Sequence, residues 1–257
     1  MKVCIRLILL VGLIGIAMAA DKPANHPATN KSLVLEVLKG SPKIDGKLDD
    51  WSLDGLTPAV LDTKEQLFNG KGSWKNPADS SGMFYVLWDD KHLYIAAVMK
   101  DNKLSMQKKG GSIWNADCIE IFLSTTKAVA PHAEHYQWGF NANEDIWNWC
   151  NMDGNGNREP DYLEVKATKT ADGYICETSL AYKNVKKLEF KAGKSMGFHP
   201  CFDDADDGAN RKLQMTWTGR EAHDQSQGFG HIIFSDKPMA ISPEKGVSTY
   251  WAWIKRN

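Results

Sequence analysis

The chain has 257 residues, with 31 basic against 32 acidic side chains and ten tryptophans as its one compositional excess. Charge this balanced, with no basic stripe, excludes nucleic acid and anionic membrane surfaces as electrostatic partners. The length suits one large all-β domain or two small ones.

Residues 1–19 read as a cleavable signal peptide. Lys2 and Arg6 precede an apolar run from Leu7 to Ile16, and Ala17-Met18-Ala19 gives the small-x-small cleavage pattern. That run is too short for a membrane anchor, and Cys4 lies before it rather than after it, unlike a lipoprotein cysteine. The expectation is a secreted or periplasmic protein with no membrane anchor. Residues 20–32, rich in Pro, Asn, Ala and Lys, read as a flexible leader.

From there the pattern is strands and turns. Residues 33–38 form a β-type run closed by Gly40-Ser41-Pro42, and Asp45-Gly46 carries a turn signal. Residues 57–81 are polar, contain Pro58, Gly70, Gly72 and Pro77, and read as a long loop. The clearest hairpin joins 83–88 to 93–99 through Asp89-Asp90-Lys91-His92. Both of its strands are apolar on alternate and intervening positions alike, as expected of strands packed on two sides. Runs at 118–124, 136–141, 162–169, 173–180, 196–202, 213–217 and 230–235 complete the set, and 183–190 has room for one short helical turn. The spacing predicts an all-β protein with little helix over 33–237. Its architecture is a two-sheet antiparallel β-sandwich of the jelly-roll or immunoglobulin type. Residues 238–257 read as a C-terminal extension, with the aromatic 250–254 segment expected to pack back on the domain.

Several residue groups could carry chemistry. Trp88 and Trp217 lie within apolar strand patterns and read as core. Trp147 and Trp149 alternate, so they share one strand face, either as a sugar platform or packed beneath the long loop. Asp153, Asn155 and Asn157 place oxygen atoms at every second position, with Asp161 extending the series, as in calcium loops. Gly156 and Arg158 depart from the EF-hand pattern, so a structural Ca2+ competes there with a polar turn. Residues 203–208 hold four aspartates, which repel one another unless a cation, Arg211 or Lys212 offsets them. His132 and His135 read as surface residues rather than a metal pair. Cys118, Cys150, Cys176 and Cys201 permit two disulfides with three possible pairings, or buried free thiols. None is spaced C-x-x-C. No carboxylate pair or nucleophile motif marks an enzyme, and no organic cofactor is expected.

The order of these elements resembles the family 9 carbohydrate-binding modules and their wider sandwich superfamily. The resemblance runs through Ile44-Asp45-Gly46, Trp88-Asp89-Asp90-Lys91-His92-Leu93-Tyr94, and Trp114 with Asp117 and Ile119-Glu120-Ile121-Phe122. It continues through Gly173-Tyr174, Glu177 and Leu180, then Gly197-Phe198, Phe202 and Asp204-Ala205-Asp206, and finally Trp217 and Phe229-Gly230. It implies bound structural calcium and a sugar clamped between two aromatic rings at one end of the sandwich. Trp114 matches the first ring, with Asn115, Asp117 and Asn141 adjacent for sugar hydroxyls. The second ring falls on His223, and the family's basic residue in the following strand falls on Gly139. Trp74, Trp138, Trp147 or Trp149 are then alternative platforms. Asp204 and Asp206 take a structural or ligand-contact role. The function implied is binding of a mono-, oligo- or polysaccharide without catalysis, alone or beside a partner enzyme encoded elsewhere. The same superfamily leaves a haem-binding electron-transfer sandwich, or a structural protein-interaction module, as alternatives.

Overall fold

The computed structural model describes residues 33–125, 135–208, 210–223 and 228–240. The signal segment, the leader, His132 and all but the first three residues of the C-terminal extension lie outside them.

Thirteen strands follow in chain order: β1 (Val34–Lys39), β2 (Ala59–Leu61), β3 (Leu67–Asn69), β4 (Ser80–Trp88), β5 (His92–Asp101), β6 (Cys118–Ser124), β7 (His135–Phe140), β8 (Ile146–Cys150), β9 (Leu163–Thr170), β10 (Gly173–Ala181), β11 (Ser195–Asp204), β12 (Leu213–Thr216) and β13 (Gly230–Pro238). The helical content described is four short 3-10 turns. Strands β8-β7-β6-β11-β13-β1-β4-β5-β10-β9 form one hydrogen-bonded path, with β12 beside β11 and β2 beside β4. The path folds over itself. Alternate residues of β6, β7 and β11, such as Ile121, Trp138 and Phe202, meet Phe84, Ile95 and Tyr174 from β4, β5 and β10 in one buried cluster. The sandwich expected from the alternation is present. Its layers are not two separate antiparallel sheets, however, because β1 pairs in parallel with both β13 and β4 and joins them. Side-chain alternation reports faces, not strand direction, so that link was invisible in the pattern.

The second face of β4 and β5 is also buried. Met83, Tyr85, Leu87, Tyr94 and Val98 pack beneath Trp51, Leu56 and Val60, which is why the hairpin is apolar throughout. Trp51 is fixed by a hydrogen bond from its indole N–H to Glu177 Oε1 at 2.6 Å. The other oxygen of Glu177 accepts the backbone N–H groups of Asp45 and Lys47 at 3.1 and 2.9 Å, and that of Gly46 between them. Gly46 has φ +83°, a conformation that leaves no comfortable place for a side chain. The turn at Asp45-Gly46 is therefore a carboxylate cradle. The polar segment 57–81 is also more ordered than a loop, since β2 pairs with β4 and β3 with β12. All four described cysteines are free thiols, so neither disulfide is formed.

Candidate functional site

Strand β6 sends Ile119, Ile121 and Leu123 into the core, which turns Glu120 and Phe122 to the outer face of the layer. Strand β7 repeats this with Gln137 between Tyr136 and Trp138, and β12 with Gln214 between Leu213 and Met215. Because β7, β6, β11 and β12 are neighbours, the three polar side chains converge. Glu120 accepts the Gln137 amide at 2.6 Å and the Gln214 amide at 3.1 Å. Asp203 of β11 lies beside them, and Arg211 donates to its Oδ1 at 2.8 Å. Burial, then the Glu120 carboxylate, push Asp203 well above the ordinary carboxylate range, with Arg211 acting in the opposite sense.

Aromatic rings wall this polar floor. Trp114 lies in a 3-10 turn (Gly110–Asn115) and is 40% exposed, clear of the core. The Arg211 guanidinium lies over its ring, 4.8 Å from the centroid. Trp149 covers Gly139 so closely that a Cβ there would collide with the indole, and its ring nitrogen donates to the Gly111 carbonyl at 3.0 Å. His223 stands edge-on to Phe122, with centroids 5.6 Å apart. Together with Phe68 and Asn69 these groups bound a cavity of about 350 Å3, at the small end of ligand sites.

Of the residues expected at a sugar, Trp114 and His223 line this cavity. Asn115 stands at its rim, where it donates to Asn210 at 2.7 Å and accepts the Arg211 N–H at 2.9 Å, joining two walls. Asn141 is buried and receives the N–H groups of Asn143 and Asp145, so it organises a turn instead. Asp117 and Asp204 are buried away from the cavity. With Asp101 they form the one group of three or more acidic, histidine or cysteine side chains among the described residues whose ligand atoms lie within 4.8 Å of one another. Burial first, and then the negative charge of Asp101, push Asp117 up to about 9 and Asp204 up to about 7. Asp117 also accepts the N–H groups of Ser105 and Ala205. Asp206 lies beside this cluster, near enough for its charge to raise Asp101. Two of the four residues expected in a calcium loop meet protein partners. Asp153 accepts the Tyr136 hydroxyl and the Lys186 N–H, both at 2.8 Å, while Asp161 pairs with Arg158 at 3.4 Å. Asn155 is exposed, and Asn157 occupies a left-handed turn position with φ +55°. His135 is buried against Phe122 rather than at the surface.

As cavity residues, the sequence reading passed over Glu120, Gln137 and Gln214; Arg211 it offered as a counter-charge to the aspartates of 203–208, and it does pair with Asp203. The first three shared one signal, a polar residue between two core apolar residues of a strand. Trp149, offered as one of several platforms, is in place, and its ring explains why position 139 is glycine.

Three comparisons bear on this arrangement. The family model described as carbohydrate family 9 binding domain-like matches residues 44–237. An exoglucanase of Acetivibrio thermocellus is 26% identical over 81% of this chain, and an endo-1,4-beta-xylanase C of Paenibacillus barcinonensis is 31% identical over 79%. The chain spans only 18% and 17% of those proteins. A family 9 carbohydrate-binding module of Caldicellulosiruptor kristjanssonii, solved with cellotriose, superposes with a TM-score of 0.62 at 23% identity, covering 83% of this chain and 100% of that one. Its complex with glucose gives 0.63 at 22%, covering 82% and 100%. At these identities the structures establish the shared fold. The family match, spanning well over half of the residues, places this chain in the carbohydrate family 9 binding-domain family.

Proposed function

We propose that the protein is an exported, non-catalytic module that binds a pyranose in the cavity between Trp114 and Trp149. The observation that carries this reading is an exposed indole at the edge of a buried carboxylate–amide floor. An indole face stacks on the apolar face of a sugar ring through dispersion and water displacement. The lone pairs left on Glu120 and the side-chain carbonyls of Gln137 and Gln214 then accept hydroxyl protons. The two carboxyl groups of the floor argue against hydrolysis. Glu120 and Asp203 are within hydrogen-bonding reach of each other, whereas glycosidases hold their pair at least about 5 Å apart with the scissile bond between. Support for the sugar class comes from the family and from two neighbours solved with glucose and cellotriose.

We assign a divalent cation to Asp101, Asp117 and Asp204. Three buried carboxyl groups with converging oxygens suit a hard cation such as calcium, and a cation there would relieve their mutual repulsion. When bound, it would hold the segments leading to Trp114 and Arg211.

Calorimetric titration of glucose and cellotriose tests the sugar reading. Trp114→Ala is expected to weaken binding at least tenfold with an unchanged melting temperature, because the ring is largely outside the core. Equal affinity in that variant, or no binding by the parent chain, removes the stacking claim.

A further inference from the structure

We infer that Arg211 is the specificity-determining hydrogen-bond donor of this cavity, and that with Glu120 it selects neutral pyranoses bearing a vicinal diol. The inference rests on the sugar-binding reading above. It starts from position 139 on β7, where a side chain would clash with its neighbours. Position 139 is glycine, and the Trp149 ring fills the space a side chain would take. The cavity nevertheless contains one guanidinium, which arrives from the opposite wall.

The remaining groups leave that guanidinium as the cationic donor of the cavity. Gln137 and Gln214 each direct an amide N–H at Glu120, at 2.6 and 3.1 Å, so their carbonyl oxygens remain for the ligand. The floor therefore offers acceptors beside the second N–H of each amide, and among the described residues Arg211 is the one Lys or Arg side chain that lines the cavity. Arg211 has five N–H groups in a planar fork and commits one nitrogen to Asp203 at 2.8 Å. Its orientation is fixed three ways, by Asp203, by stacking 4.8 Å over Trp114, and by its backbone N–H on Asn115 at 2.9 Å. A fixed donor and a fixed carboxylate on one floor match two adjacent hydroxyls, one accepting from Arg211 and the other donating to Glu120. An acidic sugar is disfavoured because the Glu120 carboxylate lines the same cavity as the single guanidinium, leaving no surplus positive charge.

The test is calorimetric titration of glucose, cellotriose and glucuronic acid into the full chain and two variants. Arg211→Met keeps an apolar stem against Trp114 and removes every donor; Arg211→Lys keeps the charge without the fork. The parent chain is expected to bind glucose at least threefold more tightly than glucuronic acid. Arg211→Met should weaken glucose and cellotriose at least tenfold, with Arg211→Lys between. Unchanged affinity in Arg211→Met, or a preference for glucuronic acid, overturns the inference while leaving the sugar reading intact. A parent chain that binds none of the three removes both. Should Arg211→Met prove unfolded by circular dichroism, the Arg211 side-chain Nε–H resonance of the parent chain decides. It is expected to shift on saturation with cellotriose, and an unmoved resonance overturns the inference.

Discussion

His199 occupies a setting that penalises a charged imidazole. It is fully buried, stacks on Phe229 with centroids 5.1 Å apart, and lies near Phe122. Burial pushes its pKa down to about 3 from an ordinary value near 6.5. Between those values the unfolded chain binds more protons than the folded one, so stability is lost as the pH falls through that window. Replacing the imidazole by a ring that cannot titrate should remove this contribution. Urea melts at pH 7 and pH 4 are expected to show a smaller acid-induced drop in midpoint for His199→Phe than for the parent chain. An equal drop would assign the acid sensitivity to other groups. Single residues also show how far the sequence could be read. Trp114 was singled out by its match to the first clamping ring of the resembled family. Glu120, Gln137 and Gln214 were each visible as polar interruptions, but their convergence depends on β7, β6, β11 and β12 being neighbours, and no local pattern encodes that order.

At the scale of elements, the long strands were legible because alternation over six or more residues leaves little freedom of assignment. The two shortest, β2 and β3, were not, since three residues in a polar segment carry no period. The cradle around Glu177 shows a different limit. The turn at Asp45-Gly46 and the strand carrying Glu177 were each recognisable, yet their contact spans some 130 positions. That one carboxylate anchors the segment covering the outer face of β4 and β5 by accepting three backbone N–H groups and the Trp51 indole. Glu177→Ala would strand those donors in a buried setting, and unsatisfied buried groups cost about 1–3 kcal/mol each. Partial access of water lowers the sum, so a loss of about 3–5 kcal/mol is expected from denaturant unfolding. A loss below 1 kcal/mol would mean that the segment is held by its apolar contacts alone.

At the scale of the molecule, the acidic cluster joins the layers, because Asp101 ends β5 in one while Asp204 ends β11 in the other. Asp117 and Asp204, raised to about 9 and about 7, hold protons in the folded chain that the unfolded chain releases near pH 4. Their contribution to stability is therefore complete below about pH 4 and lost as the pH rises through those values. A bound cation reverses that loss by neutralising the ionised cluster. Melting temperatures with calcium and with chelator are expected to diverge more at pH 8.5 than at pH 5. Equal curves at both would show that the cluster takes no calcium.

The position of β1 sets the order in which this molecule can assemble. One part of the strand lies against β13 and the next against β4, so an early segment of the chain waits for a strand ending at Pro238. Contacts of such long sequence separation form late, after their loop-closure cost has been met. Until β13 is available, β1 and β11 each keep an unpaired edge, and the sandwich cannot close. A nascent chain is thereby kept open at both of these edges until the segment forming β13 has been made.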